Sequence, residues 1–128
     1  MKYLLDTHTI LWYATNDRRL AVEQYKAIES SQNQIFISHV SVWEIGIKSA
    51  IGKLKIENTV ESFVREKIEP YNFIFLPIEL NHIFKATSLP LHHRDPFDRM
   101  LISQSIIENI PIISSDSTFD HYGINRIW

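Results

Sequence analysis

Four acidic side chains stand where predicted strands end or predicted helices begin: Asp6 in YLLD, Glu44 in VSVWE, Asp98 in DPFD and Asp116 in IISSD. Carboxylates that converge repel one another and raise each other's proton affinity unless a cation sits among them. Hard oxygen donors in a chain without cysteine point to Mg2+ or Mn2+. Such ions, alone or in pairs, activate water and stabilise phosphoryl oxygens, so the chemistry on offer is phosphodiester cleavage.

Each acid also has an ordinary structural use. Ser41-Val42-Trp43-Glu44 fits a capping box, with Glu44 reaching back to the cap amide. Asp95 fits an N-cap followed by Pro96 at the first helical position, which puts Asp98 at the third, where the helix dipole favours an anion. Asp116 can start a turn through its side chain. Capping and metal binding coexist readily, because the start of a helix fixes a carboxylate rigidly. Of the two aspartates in RDPFD, Asp95 is then the better helix cap, and Asp98, one turn on, is held on a rigid element.

The elements that must position these acids are short. Strands are predicted at Lys2-Leu5, Ile35-Ser38, Phe73-Leu76 and Ile112-Ser114, with a weaker one at Asn125-Ile127. Between them, Val60, Phe63, Val64 and Ile68 recur at helical spacing in TVESFVREKIE, where Glu61 and Arg65 can pair. Val22, Tyr25 and Ile28 form a similar stripe in AVEQYKAIES. The four main strands are nearly continuous apolar runs, which predicts cover on both faces. Strands alternating with helices predict a three-layer α/β/α sandwich with a central, mostly parallel sheet of four to five strands. Ligands of such sheets bind beyond the carboxyl ends of the strands, where all four acids fall.

A chain of 128 residues allows one domain, spanning 1–128, with one buried core. The opening MKYLLDTHTI is neither a signal peptide nor a membrane span, and no cysteine is available for disulfides, so a cytoplasmic protein is expected. Only three glycines are present and no Gly-rich loop, which excludes a dinucleotide fingerprint and a P-loop. A net charge of −2 does not by itself announce nucleic-acid binding. The cations are nonetheless uneven, with Lys48, Lys53 and Lys55 in one stretch and His92, His93, Arg94 and Arg99 around the third acid.

LLDTHTILW, SHVSVWEI, HHRDPFDRMLISQS and IISSDSTFDHYGI, in that order and spacing, resemble the PIN-domain ribonucleases, and most of all the VapC-type toxins of bacterial toxin–antitoxin pairs. The resemblance spans nearly the whole chain and implies a metal-dependent endoribonuclease using Mg2+ or Mn2+. It places the family's four acids on Asp6, Glu44, Asp98 and Asp116, which hold the metal while metal-activated water attacks the phosphorus. Thr7 and Ser114 match its hydroxyl residues, with hydrogen bonds to the carboxylates as their expected role, and Asp95 is expected to support them. His8 stands where many members carry Asn or Ser and is given no metal role. Lys48, Lys53, Arg94 and Arg99 are candidates for guiding the RNA backbone, since phosphates need cationic contacts that an acidic site cannot supply. The resemblance also implies a cognate antitoxin, whose segment would lie in a groove formed by ILWYA and the apolar side of VWEIGIKSAIGKL. Homodimerisation and the absence of any membrane association are expected on the same basis.

The adjacent pair His92-His93 is not a metal-ligand spacing on one helix face, so these histidines are expected to be exposed and inert, with a loop position near the substrate as the alternative. Trp12, Tyr13 and Trp43 are expected to pack in the core or to line a partner groove. A haloacid-dehalogenase-type phosphotransferase would need an aspartate where His8 stands, and a receiver domain would need a lysine near Ser114-Ser115-Asp116. The alternatives of substance are a PIN-like module that binds RNA or protein without cutting, and a housekeeping RNA-processing nuclease.

Overall fold

A computed structural model describes residues 1–128. Five strands form one parallel sheet: β1 (Lys2–Leu5), β2 (Gln34–Ser38), β3 (Ile74–Leu76), β4 (Ile112–Ile113) and β5 (Arg126–Ile127). Their spatial order is β3-β2-β1-β4-β5, and every pair is parallel. The chain winds outward from β1 to β3 and then crosses back to place β4 on the other side of β1. The direction of winding therefore reverses between β1 and β4, where a parallel sheet opens a crevice beyond its carboxyl edge.

Six α-helices connect the strands: α1 (Thr7–Ala14), α2 (Val22–Glu29), α3 (His39–Ala50), α4 (Val60–Lys67), α5 (Leu80–Ser88) and α6 (Pro96–Glu108), followed by a 3-10 turn at Ser117–Tyr122. Successive strand residues face opposite ways, and both faces are covered. Leu5, Ile35, Ile37 and Ile113 join Ile10, Tyr13, Ile28, Ile45 and Ile68 in one core. Leu4 and Ile112 join Val40, Leu101, Ile102 and Phe119 in the other. This is the physical reason the strands read as unbroken apolar runs.

Local signals decide the helix ends, pairings and faces, and three of these features differ from the sequence expectation. The cap of α3 is Ser38, whose hydroxyl accepts from Val40 N, so Ser41 and Glu44 lie inside the helix and form no capping box. Arg65 pairs with Glu69 rather than Glu61, the other i,i+4 choice. In α2 Gln24 and Ile28 are buried while Val22 and Tyr25 are exposed, so the helix turns a different face inward than the apolar stripe suggested. Helix α6 does follow its signals: Asp95 caps it, Pro96 opens it, and Asn109 closes it in the left-handed conformation at φ 53°. No helix is long and apolar enough to cross a membrane.

Candidate metal centre

The central strand delivers the deepest carboxylate. Asp6 follows β1 and caps α1, its Oδ1 accepting from Thr9 N at 2.8 Å and its Oδ2 from Ser114 Oγ at 2.6 Å. Burial pushes this carboxyl above the usual range, against the lowering effect of the Ser114 and Thr9 hydrogen bonds. Ser114 follows β4, the strand beside β1, so the sheet register itself brings the two together. Its hydroxyl also accepts from Asp116 N at 3.0 Å.

Glu44 enters from α3 and is 3% exposed. Thr7 Oγ1 donates to its Oε1 at 2.5 Å, and Lys48 Nζ donates to its Oε2 at 2.5 Å from one turn later on the same helix. That hydrogen bond to Glu44 raises the Lys48 pKa, with the Asp95 and Asp98 charges adding to it. Ser41, one turn before Glu44, puts its Oγ 3.0 Å from Thr7 Oγ1 and so helps fix the hydroxyl that orients the glutamate.

At the start of α6 the two aspartates divide their tasks. Asp95 Oδ1 accepts from the backbone N–H groups of Phe97 and Asp98 at 2.9 and 3.1 Å, as an N-cap should. Asp98 is thereby held at the third helical position and turned toward the other acids. Its pKa is pushed up to about 8, first by burial and then by the charges of Asp95, Glu44, Asp6 and Asp116. The other three site acids therefore all lie within electrostatic reach of Asp98.

Asp116 follows β4 and caps the 3-10 turn through Oδ1, which accepts from Thr118 N at 3.0 Å. Burial raises its pKa, but the Thr118 and His93 hydrogen bonds outweigh that and leave it below the usual value. His93 is where the structure corrects the sequence reading. Its Nε2 lies 3.0 Å from both Asp98 Oδ2 and Asp116 Oδ2, so it belongs to the site, whereas His92 and His8 are exposed. Ligand atoms of His93, Asp98 and Asp116 all lie within 4.8 Å of one another. The signal was present in HHRD: residues just before an N-cap fold back beside the first helical turn, where Asp98 sits.

The proposed RNA-guiding cations part company. Lys48 stands at the acidic site on Glu44, Arg94 is exposed beside it in sequence to His93, and Lys53 is exposed in the turn after α3. Arg99 is not available for phosphate. Its guanidinium donates to four backbone carbonyls, those of Ala86, Leu89, Pro90 and His93, at 2.8–3.1 Å. A planar fork with five donors suits that gathering of carbonyls, which staples the loop between α5 and α6.

The aromatics also separate. Tyr13 is buried, and Trp12 lines a cleft of about 770 Å³ with Leu11, Leu54, Ile56 and Phe63. Trp43 is 60% exposed instead of packed, its ring edge-on to Phe97 at 5.4 Å. These two rings each precede a site acid in sequence, Glu44 and Asp98, and so mark the rim of the site.

A family model described as PIN domain matches residues 3–125. No curated protein matches the sequence significantly. Among solved structures, VapBC2 from Rickettsia felis, bound to a DNA fragment from their promoter, is similar with a TM-score of 0.73 at 16% identity, covering 99% of this chain and 98% of that one. VapBC-1 from nontypeable Haemophilus influenzae gives 0.66 at 15% identity, covering 99% and 97%. FitAcB from Neisseria gonorrhoeae gives 0.66 at 14% identity, covering 98% and 96%.

Proposed function

Because the chain belongs to the PIN domain family, we propose that it is a divalent-metal-dependent endoribonuclease and the toxin of a toxin–antitoxin pair. The observation that carries this reading is the gathering of four carboxylates from separate elements at the sheet's switch point, with Asp98 pushed up to about 8 by burial and by its neighbours' charge. An arrangement that costly to ionise fits a cation bound among the oxygens. Hydroxyl, amide and ammonium donors already orient Asp6 and Glu44, one to each carboxylate oxygen, leaving a further lone pair on each oxygen for an ion.

Asp6, Glu44 and Asp98 would hold Mg2+ or Mn2+, directly or through water, with Asp116 completing the site. When bound, such an ion lowers the pKa of water and neutralises charge on the phosphoryl oxygens. The chain's own residues supply the rest. Ser114 and Thr9 fix the rotamer of Asp6, and Thr7 fixes that of Glu44, which keeps the oxygens aimed at one point. Lys48 and Arg94 provide positive charge at the rim, where the RNA backbone approaches an otherwise anionic surface.

The similarity to VapBC and FitAcB structures supports the toxin role and an antitoxin partner. The cleft beside α1, walled by Trp12 and Phe63 together with charged residues such as Asp17, Lys55 and Glu66, supports an antitoxin segment laid into a groove. Exposed Leu80, Phe84 and Leu91, at 68%, 66% and 75%, support a homodimer formed through the α5 side. A cysteine-free chain acting on RNA fits a cytoplasmic protein.

The test is cleavage of total RNA and of tRNA by purified protein with Mg2+ or Mn2+, with EDTA, and with Asp98→Asn. Metal-dependent cleavage lost in EDTA and in D98N is expected. Cleavage that survives either one overturns the mechanism. Robust cleavage in vitro without any effect on growth when expressed in cells would transfer the assignment to a housekeeping nuclease.

A further inference from the structure

His93 sits between two of the acids, and what it does there is decided by its other nitrogen. The backbone N–H of Asp95 points at His93 Nδ1, 3.2 Å away. A backbone amide can only donate, so Nδ1 is the acceptor and carries no proton. The ring's proton is therefore on Nε2, the atom 3.0 Å from both Asp98 Oδ2 and Asp116 Oδ2. A protonated Nε2 has no lone pair to offer a metal.

The ring has little freedom to turn away from this arrangement. His93 N donates to Tyr122 Oη at 2.7 Å, and Tyr122 Oη donates onward to Pro90 O at 2.8 Å. Arg99 holds the His93 carbonyl at 3.1 Å together with three carbonyls earlier in the loop. The imidazole face lies against Phe119, centroid to centroid 5.7 Å. Main chain, ring face and Nδ1 are thus each held by a different partner.

Resting on the reading of this site as a metal centre, we infer that His93 is a positioning residue rather than a metal ligand: its Nε2–H is donated to Asp116 Oδ2 while Asp98 Oδ2 lies 3.0 Å from the same nitrogen, which holds these two carboxylates, from separate elements, side by side where an ion would bind. Asp98 is fixed to α6 and Asp116 to the turn after β4. When an ion keeps both ionised they repel, and the Nε2–H directed at Asp116 beside Asp98 offsets part of that repulsion. Each carboxylate keeps further lone pairs for an ion, the usual relation between a ligating carboxylate and its supporting donor. A consequence is that the site remains all-oxygen although a histidine stands in its midst, which preserves a preference for hard ions.

The test uses the full chain labelled with 15N-histidine. In metal-free protein, the His93 ring should show a protonated Nε2 and an unprotonated Nδ1, and this pattern should persist on saturation with Mg2+. An Nε2 that gives up its proton and ligates the added ion overturns the inference. In parallel, free Mn2+ is followed by electron paramagnetic resonance during titration of wild type, His93→Ala and His93→Gln. H93A should weaken Mn2+ binding about tenfold, and H93Q, which retains an N–H donor of similar reach, should recover part of that loss. Equal affinity in wild type and H93A, or equal weakening in H93A and H93Q, overturns the assigned role. A wild-type protein that binds neither ion overturns the metal reading itself and leaves the tautomer result to stand separately.

Discussion

Asp98→Asn should stabilise the metal-free protein at alkaline pH, although it removes a residue placed at the centre of the site. The Asp98 carboxyl has a pKa of about 8 against an ordinary 3.8. Between those values the folded chain binds a proton that the unfolded chain has released, so stability falls as pH rises from about 4 to about 8, and the loss is complete above 8. Four pKa units at 1.36 kcal/mol each set an upper bound of about 5–6 kcal/mol. The side chain is 22% exposed, and water drawn toward the ionised group reduces the cost, so we expect about 2–4 kcal/mol. Asparagine has the same shape without the charge and escapes this loss. In EDTA at pH 8, thermal unfolding should place D98N roughly 10 °C above wild type, with the gap closing as pH falls toward 4. Adding Mg2+ should raise the wild type and leave D98N where it was. A D98N protein that melts below wild type in EDTA at pH 8, or a gap that does not change with pH, would refute the charge-crowding argument.

Two further outcomes distinguish the neighbouring residues. Arg99→Lys replaces a fork that serves four carbonyls with an ammonium that can serve at most three, and should cost about 1–3 kcal/mol in urea unfolding. The salt dependence of RNA binding should be unchanged, because Arg99 makes no phosphate contact; a slope reduced by about one would return it to the RNA path. Asp95→Asn keeps one side-chain acceptor for the first-turn amides of α6, so the fold and part of the cleavage should survive. Cleavage abolished as completely as in D98N, with the circular dichroism spectrum intact, would show that Asp95 does more than cap.

The sequence carried the sheet because nearly continuous apolar runs, such as YLL in KYLL and PII in PIIS, leave few alternatives to strands covered on both faces. It carried the acids because each stands next to a strand end or a helix start, and a parallel sheet collects such positions at one edge. His93 and Arg99 escaped for a common reason: both act through the loop between α5 and α6, whose shape depends on carbonyl directions that no residue type announces. Arg99 looks like any surface cation until four carbonyls are seen to converge on it. Ser41 and Glu44 matched a capping pattern that Ser38, three residues earlier, satisfies instead. A capping box and an inward-facing Ser/Glu pair both need i,i+3 spacing, so spacing alone could not separate them. Trp43 was expected in the core or in a partner groove; the helix turns Glu44 inward, and 100° of rotation per residue then carries Trp43 out of the core to the rim.

The hydrogen bond from Ser114 to Asp6 joins residues 108 positions apart, and β1 pairs with β4 across almost the same separation. During translation the chain emerges in order, so β1, α1 and α3 can gather long before β4 exists. Until β4 and the turn after it have left the ribosome, Asp6 lacks its Ser114 donor and the site lacks Asp116. The long-range pairing that makes this topology slow to fold also means that a nascent chain carries an incomplete set of site acids until its last sixth has emerged.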